Sequence, residues 1–377
     1  MKIVITGAGG LIGWHAAAHL HAQNCAAMFA GLPAVHHVVT LNRAEFADPA
    51  KLETALNGAD AVLHFAGINR GLERDVEAGN PAIATSLATA IRKVWPGGKG
   101  RAGPHIVYAN SIHAASDTPY GRSKSRARQI LAELEGGFTN MNLPHVFGEG
   151  ARPRYNNVTA TFVEAVIAGQ RPEVNPEGRV ALIHAGVVAD LAISAALGNK
   201  SADLTPEPKP MQVGDLLDKL VGFHAGYQAN IFPDLRDSFD LALFNSYRAA
   251  LYPGGFPRPL TLNTDPRGTL FEAVKGGGGG QSFVSWTAPG VTRGDHFHLH
   301  KVERFLVLQG EAVIRMRRVL GGPVWEYRVS GTQPAPVDMP TLHTHNITNV
   351  GDTPLLTLFW THALFDPSAP DTFADPV

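Results

Sequence analysis

Near residue 252 the chain changes its period, and this constrains the fold more than any single motif. Up to about residue 250, short β-rich runs alternate with longer helical stretches. Residues 2–6, 37–41, 61–64 and 105–109 read as strands, and 11–23, 49–56 and 81–94 as helices. That alternation predicts a doubly wound parallel sheet of Rossmann type, with helices on both faces. From about 256 the apolar runs crowd together, at 281–287, 304–308, 312–317, 324–329 and 355–360. Turn residues separate them: Ala288-Pro289-Gly290, Gln309-Gly310, Gly321-Gly322-Pro323 and Gly351-Asp352. This predicts an all-β barrel of jelly-roll type. The segment Tyr252-Pro253-Gly254-Gly255-Phe256-Pro257-Arg258-Pro259 has the composition of a junction. The expected domains are therefore 1–252 and 256–377, which suits 377 residues at ~150 per domain. The glycine run at 276–280 reads as a loose hairpin loop inside the second domain.

Composition removes several classes of function. Lys+Arg total 32 against 33 Asp+Glu, so there is no basic footprint for nucleic acid or an anionic membrane. A single cysteine, Cys25, excludes an internal disulfide framework and points to a reducing cytoplasm. The N-terminal apolar run is too short for a signal peptide, and no stretch reaches the ~18 apolar residues of a spanning helix. The expectation is a cytoplasmic protein. Histidine is the unusual residue: six of the 17 lie between His296 and His362.

In the first half, the first strand runs into Thr6-Gly7-Ala8-Gly9-Gly10-Leu11-Ile12-Gly13 and then a helix. Glycines there let the backbone approach a pyrophosphate, whose charge meets the N–H groups of the helix N-terminus. The cofactor set expected from this turn is Gly7, Gly10, Leu11, Ile12 and Gly13, a bare glycine turn being the alternative. The second strand ends in Asn42-Arg43 with no acidic residue to take a 2′-hydroxyl. Arg43 suits a 2′-phosphate and hence NADPH, or else is a solvated loop charge.

Thr118-Pro119 reads as a helix start, which places Tyr120 and Lys124 at i and i+4 on one face. A nearby ammonium favours the phenolate and brings a tyrosine toward useful acid–base range. Ser111, at the end of the strand before, is placed to hydrogen-bond the same substrate oxygen. With Ala66-Gly67 closing the middle strand, these features resemble the extended short-chain dehydrogenase/reductase family over roughly the first 250 residues. The resemblance implies that Tyr120 protonates a ketone oxygen as hydride arrives from the nicotinamide. It implies that Lys124 lowers the tyrosine pKa and holds the nicotinamide ribose, and that Ser111 polarises the carbonyl. Ala66, Gly67, Tyr120 and Lys124 then join the cofactor set. Asn110 departs from the family, standing where a second serine is common.

In the second half, His296 and His298 share a face if they lie on one strand, and a turn near Lys301-Val302 brings Glu303 back beside them. The segment 340–349 supplies a further imidazole. Three imidazoles and one carboxylate suit a divalent transition metal, zinc first. The full spacing Gly290…His296-x-His298…Glu303…Gly310 resembles the first cupin motif, and Pro340, His345 and Asn349 match part of the second, with Leu342 in place of its glycine. The resemblance makes His296, His298, Glu303 and His345 the metal ligands. His300 and His343 are extra, either pocket residues or acid–base groups.

A reductase followed by a cupin resembles the CapF type of bifunctional capsular-polysaccharide enzymes, of the UDP-N-acetyl-L-fucosamine route. The likeness runs along nearly the whole chain. It includes Ala66-Gly67-Ile68-Asn69-Arg70, Leu143-Pro144-His145-Val146-Phe147-Gly148 and the stretch 154–162. In the second half it includes Gly290-Val291-Thr292-Arg293-Gly294, residues 301–305, Thr344-His345-Asn346, Phe365-Asp366-Pro367 and Pro370-Asp371-Thr372. It implies a homodimer in which the cupin epimerises C3 of UDP-2-acetamido-2,6-dideoxy-4-hexulose. The reductase then reduces C4 with NADPH to UDP-2-acetamido-2,6-dideoxy-L-talose. Arg154, Tyr155 and Asn156 lie where extended reductases hold the UDP-sugar, and an arginine suits its diphosphate; a solvated loop is the other reading. His300, Lys301 and His343 are the candidate epimerisation bases. Three rival readings are a 4-epimerase or 4,6-dehydratase with retained NAD, a non-catalytic sugar or redox sensor, and a metal-sensing cupin.

Overall fold

The computed structural model describes residues 1–96 and 103–377. The chain packs as two compact units: Met1–Phe147, Ala151–Val158 and Arg179–Met211 form the first, and Gly148–Gly150, Thr159–Gly178 and Gln212–Val377 the second. Among the described residues no helix is long and apolar enough to cross a membrane.

The elements to residue 212 are, in order, β1 (Lys2–Thr6), α1 (Leu11–Phe29), β2 (His37–Leu41), α2 (Arg43–Ala47), α3 (Pro49–Leu56), β3 (Ala61–His64) and α4 (Glu73–Val94). There follow β4 (His105–Ser111), α5 (Pro119–Ala132), β5 (Phe138–Leu143), β6 (His145–Phe147), α6 (Val158–Ile167), β7 (Arg179–His184), α7 (Ala185–Gly198), β8 (Ala202–Leu204) and β9 (Lys209–Gln212). Six strands form one parallel sheet in the order β2-β1-β3-β4-β5-β8. Strand period two sorts the side chains to two faces. Ile3, Ile5, Leu63, Val107 and Met141 pack against α1 and α7, while Val4, Val62, Ile106 and Tyr108 pack against α3, α4 and α5. The doubly wound expectation is met.

One helix starts earlier than its sequence suggests. Pro81 reads as a first-turn proline, yet it lies inside α4. Proline deletes one backbone hydrogen bond there, but burial of Val76, Ala84, Leu87, Ala88 and Ile91 at helical spacing carries the helix through. Glu73 and Asp75 in the first turn and Arg92 and Lys93 in the last complement its dipole.

The second unit contains most of α6, then α8 (Val213–Gln228), β10 (Ile231–Phe232) and α9 (Ser238–Leu251). The β region follows as β11 (Asn263–Asp265), β12 (Gly268–Leu270), β13 (Lys275–Gly276), β14 (Gln281–Thr287), β15 (Thr292–Phe297), β16 (Glu303–Gln309) and β17 (Glu311–Arg318). It ends with β18 (Trp325–Ser330), β19 (Val337–Met339), β20 (His343–Asn349), β21 (Leu355–Thr361) and β22 (Phe373–Ala374). Two sheets, β14-β21-β16-β19 and β18-β17-β20-β15-β22, are antiparallel and enclose Phe305, Val307, Ile314, Met316, Ile347 and Phe359.

The glycine run is a correction: it makes no hairpin. Its first residue belongs to β13, which pairs parallel with β10, and the rest leads into β14. Gly280 (φ +125°) is required by close approach, since a Cβ there would lie 2.3 Å from the Thr361 carbonyl oxygen. The helices α8 and α9 are tied into the polar interior of this unit. Arg304 and Asp338 are 1% and 0% exposed and pair at 2.6 Å. The Tyr227 hydroxyl donates to the same carboxylate, and Arg248 donates to the Met339 carbonyl at 2.8 Å. The proline- and glycine-rich stretch after α9 also lies inside this unit: Phe256 is in its core, and the Arg258 amide bonds the Pro336 carbonyl at 3.0 Å.

Candidate functional site

In the first unit the glycines of the β1–α1 turn answer to steric demands. Gly7 has φ +70°, and a Cβ there would sit 2.6 Å from the Ala66 amide nitrogen. At Gly13 a Cβ would sit 2.3 Å from the Gly7 carbonyl oxygen. The turn thus lies directly against the Ala66-Gly67 end of β3. Gly10 occupies the N-cap of α1 without a side-chain cap. The first-turn amides, including those of Leu11 and Ile12, have no intrahelical acceptor and form a cradle suited to a dinucleotide's phosphates. Arg43 is exposed at the first position of α2, just beyond β2. The start of α2 is fixed by the Asn42 cap, whose Oδ1 accepts from the Ala44 and Glu45 amides at 2.9 and 3.0 Å.

The three expected catalytic side chains converge. β4 ends at Ser111, and α5 starts at Pro119 behind the Thr118 cap, whose Oγ1 accepts from the Gly121 amide at 3.0 Å. Tyr120 is half-buried, with Ser111 close enough to influence its phenol. Lys124 is buried; its Nζ donates to the Ala109 carbonyl at 2.6 Å and lies 4.3 Å from the centre of the Tyr108 ring. Burial pulls its ammonium down to about 7. The tyrosine departs from expectation. Burial holds its phenol above the ordinary range, and the influence of Ser111 offsets this only in part. A phenol that keeps its proton is the competent form for a general acid in reduction.

Asn80 is a positioning residue that sequence reasoning missed. It is buried, accepts from the Ile68 amide at 2.9 Å, and donates to the Ile68 carbonyl at 2.8 Å and to Ser123 Oγ at 2.9 Å. Ser123 in turn donates to the Tyr120 carbonyl at 2.8 Å. The strand-end loop and α5 are thereby fixed to each other. The only signal was an asparagine buried in mid-helix, where it is a weak helix former. Asn110, the departure from the reductase pattern, donates to Asn140 Oδ1 across β4 and β5 at 2.9 Å and leaves Ser111 in place. Arg154, Tyr155 and Asn156 form an exposed loop with left-handed backbone at Arg154 and Asn156. Arg70 bonds the Arg154 carbonyl and lies 5.9 Å from the Tyr155 ring centre, and Asn156 donates to the Asn69 carbonyl at 2.6 Å.

In the second unit His296, His298, Glu303 and His345 come together, with one ligand atom from each within 4.8 Å of the others. β15 brings His296, its bulge between Gly294 and His296 re-aiming the strand end; β16 opens with Glu303; β20 carries His345. His298 follows just beyond β15. The protons of two imidazoles are fixed. His298 Nδ1 donates to the Asp371 carbonyl at 2.6 Å and His345 Nδ1 to the His343 carbonyl at 3.0 Å, since a carbonyl only accepts. The Nε2 lone pairs of both therefore face Glu303 Oε2, at 3.0 and 3.2 Å, with His296 Nε2 at 3.9 Å. Lone pairs gathered on a carboxylate in a buried pocket fit a divalent cation. Where protons rather than a cation occupy this cluster, burial pushes the Glu303 carboxyl up, but a charged His298 and the hydrogen bonds then donated by the three imidazoles hold it well below its usual range.

The other candidates lie outside this cluster. Lys301 Nζ is occupied by the Pro370 carbonyl at 2.6 Å and Thr372 Oγ1 at 3.0 Å. His343 is buried, donates through Nδ1 to the Thr341 carbonyl at 2.8 Å, and packs 4.4 Å from the Tyr252 ring.

The NAD dependent epimerase/dehydratase family model matches residues 3–207, and the polysaccharide biosynthesis C-terminal domain model matches 263–373. A UDP-2-acetamido-2,6-beta-L-arabino-hexul-4-ose reductase of Pseudomonas aeruginosa is 31% identical over 383 residues, spanning 99% of this chain and 98% of that protein. The crystal structure of the capsular polysaccharide assembling protein CapF from Staphylococcus aureus covers 100% of both chains at 30% identity, with a TM-score of 0.57. This chain belongs to the CapF type of the NAD dependent epimerase/dehydratase family. As a CapF-type chain it carries the fold and glycine cradle of a nicotinamide-dinucleotide protein. A UDP-N-acetylglucosamine 4-epimerase from Bacillus cereus is similar in fold, with a TM-score of 0.51 at 16% identity, over 71% of this chain and 99% of that one.

Proposed function

We propose that this protein is a bifunctional, NADPH-dependent nucleotide-sugar enzyme, active in the cytoplasm as a homodimer. The N-terminal reductase unit reduces the C4 ketone of a UDP-2-acetamido-2,6-dideoxy-4-hexulose. The cupin of residues 256–377 inverts C3, and the product is UDP-2-acetamido-2,6-dideoxy-L-talose for surface polysaccharide. The observation that carries the reading is the convergence of Ser111, Tyr120 and Lys124 beside the glycine cradle, in a chain aligned end to end with a UDP-4-keto-sugar reductase.

The cradle, Arg43 and Lys124 would hold NADPH, which would supply the hydride when bound. Ser111 hydrogen-bonds the C4 carbonyl oxygen and polarises it. Tyr120 passes its proton to that oxygen as C4 gains the hydride, turning the ketone into an alcohol. Arg154, with Tyr155 and Asn156, holds the UDP diphosphate. In the cupin, the C3 proton is acidic because it lies next to the C4 ketone; it leaves one face and is restored on the other. His296, His298, Glu303 and His345 would hold zinc, which supplies a Lewis acid to that pocket.

Tyr120→Phe tests the reductase. Its NADPH oxidation with the 4-keto substrate falls about 10²- to 10⁴-fold, while NADPH binding measured by fluorescence stays. Unchanged turnover in that variant removes Tyr120 from the mechanism. Arg43 at the β2 tip favours this reading over an epimerase or dehydratase that retains NAD.

A further inference from the structure

The end of the chain returns to the metal cluster. β22 pairs antiparallel with β15, placing Ala374 opposite His296 and Phe373 opposite Phe297. Just before it, Asp371 adopts left-handed backbone (φ +43°), which aspartate tolerates better than most residues. Its carbonyl takes the Nδ1 proton of His298 at 2.6 Å. Its carboxylate gathers three consecutive backbone N–H groups: Leu299 at 2.9 Å, His300 at 2.9 Å and Lys301 at 2.7 Å. Lys301 closes the loop through its bonds to Pro370 and Thr372. Beyond β22, the Asp375 carboxylate accepts from Thr344 Oγ1 at 2.5 Å and from Arg317 Nη2 at 2.9 Å, next to His345.

We propose that Asp371 is the positioning residue of the metal centre, a C-terminal clamp that sets how tightly the ion is held. The inference rests on the metal reading of the four-residue cluster. One residue fixes the tautomer of His298, so that Nε2 is the atom presented. The same residue fixes the loop that spans from His298 to Glu303, and with it the separation of two ligands. Partners that orient a ligating imidazole change metal affinity by ~10- to 100-fold. Asp371→Ala removes the three N–H bonds and disfavours the left-handed backbone that aims the carbonyl. Asp371→Asn tolerates that backbone but loses one of the two acceptor oxygens.

The test measures Zn²⁺ affinity of the full chain, stripped and reloaded, by competition with a chromophoric chelator. Circular dichroism melts and the d–d spectrum of the Co²⁺-loaded chain accompany it. Wild type takes up one Zn²⁺ per chain, and His345→Ala abolishes that uptake. Asp371→Ala binds about 10- to 100-fold more weakly, with an altered Co²⁺ spectrum, and Asp371→Asn falls between. Should Asp371→Ala fail to fold, Asp371→Asn decides: weaker binding supports the clamp and wild-type binding overturns it. Wild-type affinity in both variants overturns the clamp and leaves the metal reading standing. A wild-type chain that takes up no Zn²⁺, or whose uptake ignores His345→Ala, overturns the metal reading and the clamp with it.

Discussion

Lys124 shows at single-residue scale how burial and function are coupled. Its Nζ donates to the Ala109 carbonyl and lies near the Tyr108 ring, and burial lowers its pKa to about 7. Between about pH 7 and the ordinary lysine range near 10.4, the unfolded chain keeps a proton that the folded chain releases. The unfolded state binds more protons there, so stability rises with pH across that window, at up to about 1.4 kcal/mol per unit. Denaturant unfolding of the cofactor-free chain at pH 7 and 9.5 should show this rise for wild type and not for Lys124→Met. An equal pH slope in both would place the titration elsewhere.

At the scale of elements, the β1–α1 turn is where the proposed function places the cofactor's phosphates. A Cβ at Gly13 would press on the Gly7 carbonyl at 2.3 Å, a backbone atom that cannot swing aside. Gly13→Ala should therefore cost about 1–3 kcal/mol in stability and weaken NADPH binding at least tenfold, measured by thermal melt and fluorescence titration. Unchanged binding would mean that the cradle is not the phosphate site. This turn was legible in the sequence because a strand, three spaced glycines and a helix are all local signals. So were the cap at Thr118 and the strand runs of the β region. Other features depend on partners distant in sequence. Pro81 looked like a start because the burial that carries α4 through it is tertiary. The glycine run looked like a hairpin because its pairing with Ile231–Phe232 lies far back in the chain. Asp371 belonged to a recurring tail motif, but its three N–H partners are about seventy residues away.

At the scale of the whole molecule, the chain packs as two compact units, to which the proposed function assigns two chemistries on one substrate. The cluster of His296, His298, Glu303 and His345 was legible because the cupin-like spacing places them on or just beyond neighbouring strands, and the structure brings the same four together. The polar ties of α8 and α9 to Asp338 and Met339 were not legible, because buried polar pairs leave no periodic trace. If the reading is right, the chemistries separate by mutation: Tyr120→Phe stops reduction, and His345→Ala stops inversion at C3. The most direct measurement supplies a UDP-4-keto-6-deoxy-HexNAc with NADPH and reads the C3 and C4 configuration of the product by NMR. Wild type should give the talo product and consume one NADPH per sugar, and His345→Ala should give a C4-reduced product with C3 uninverted. Inverted product from His345→Ala, or no NADPH consumption by wild type, would contradict the account.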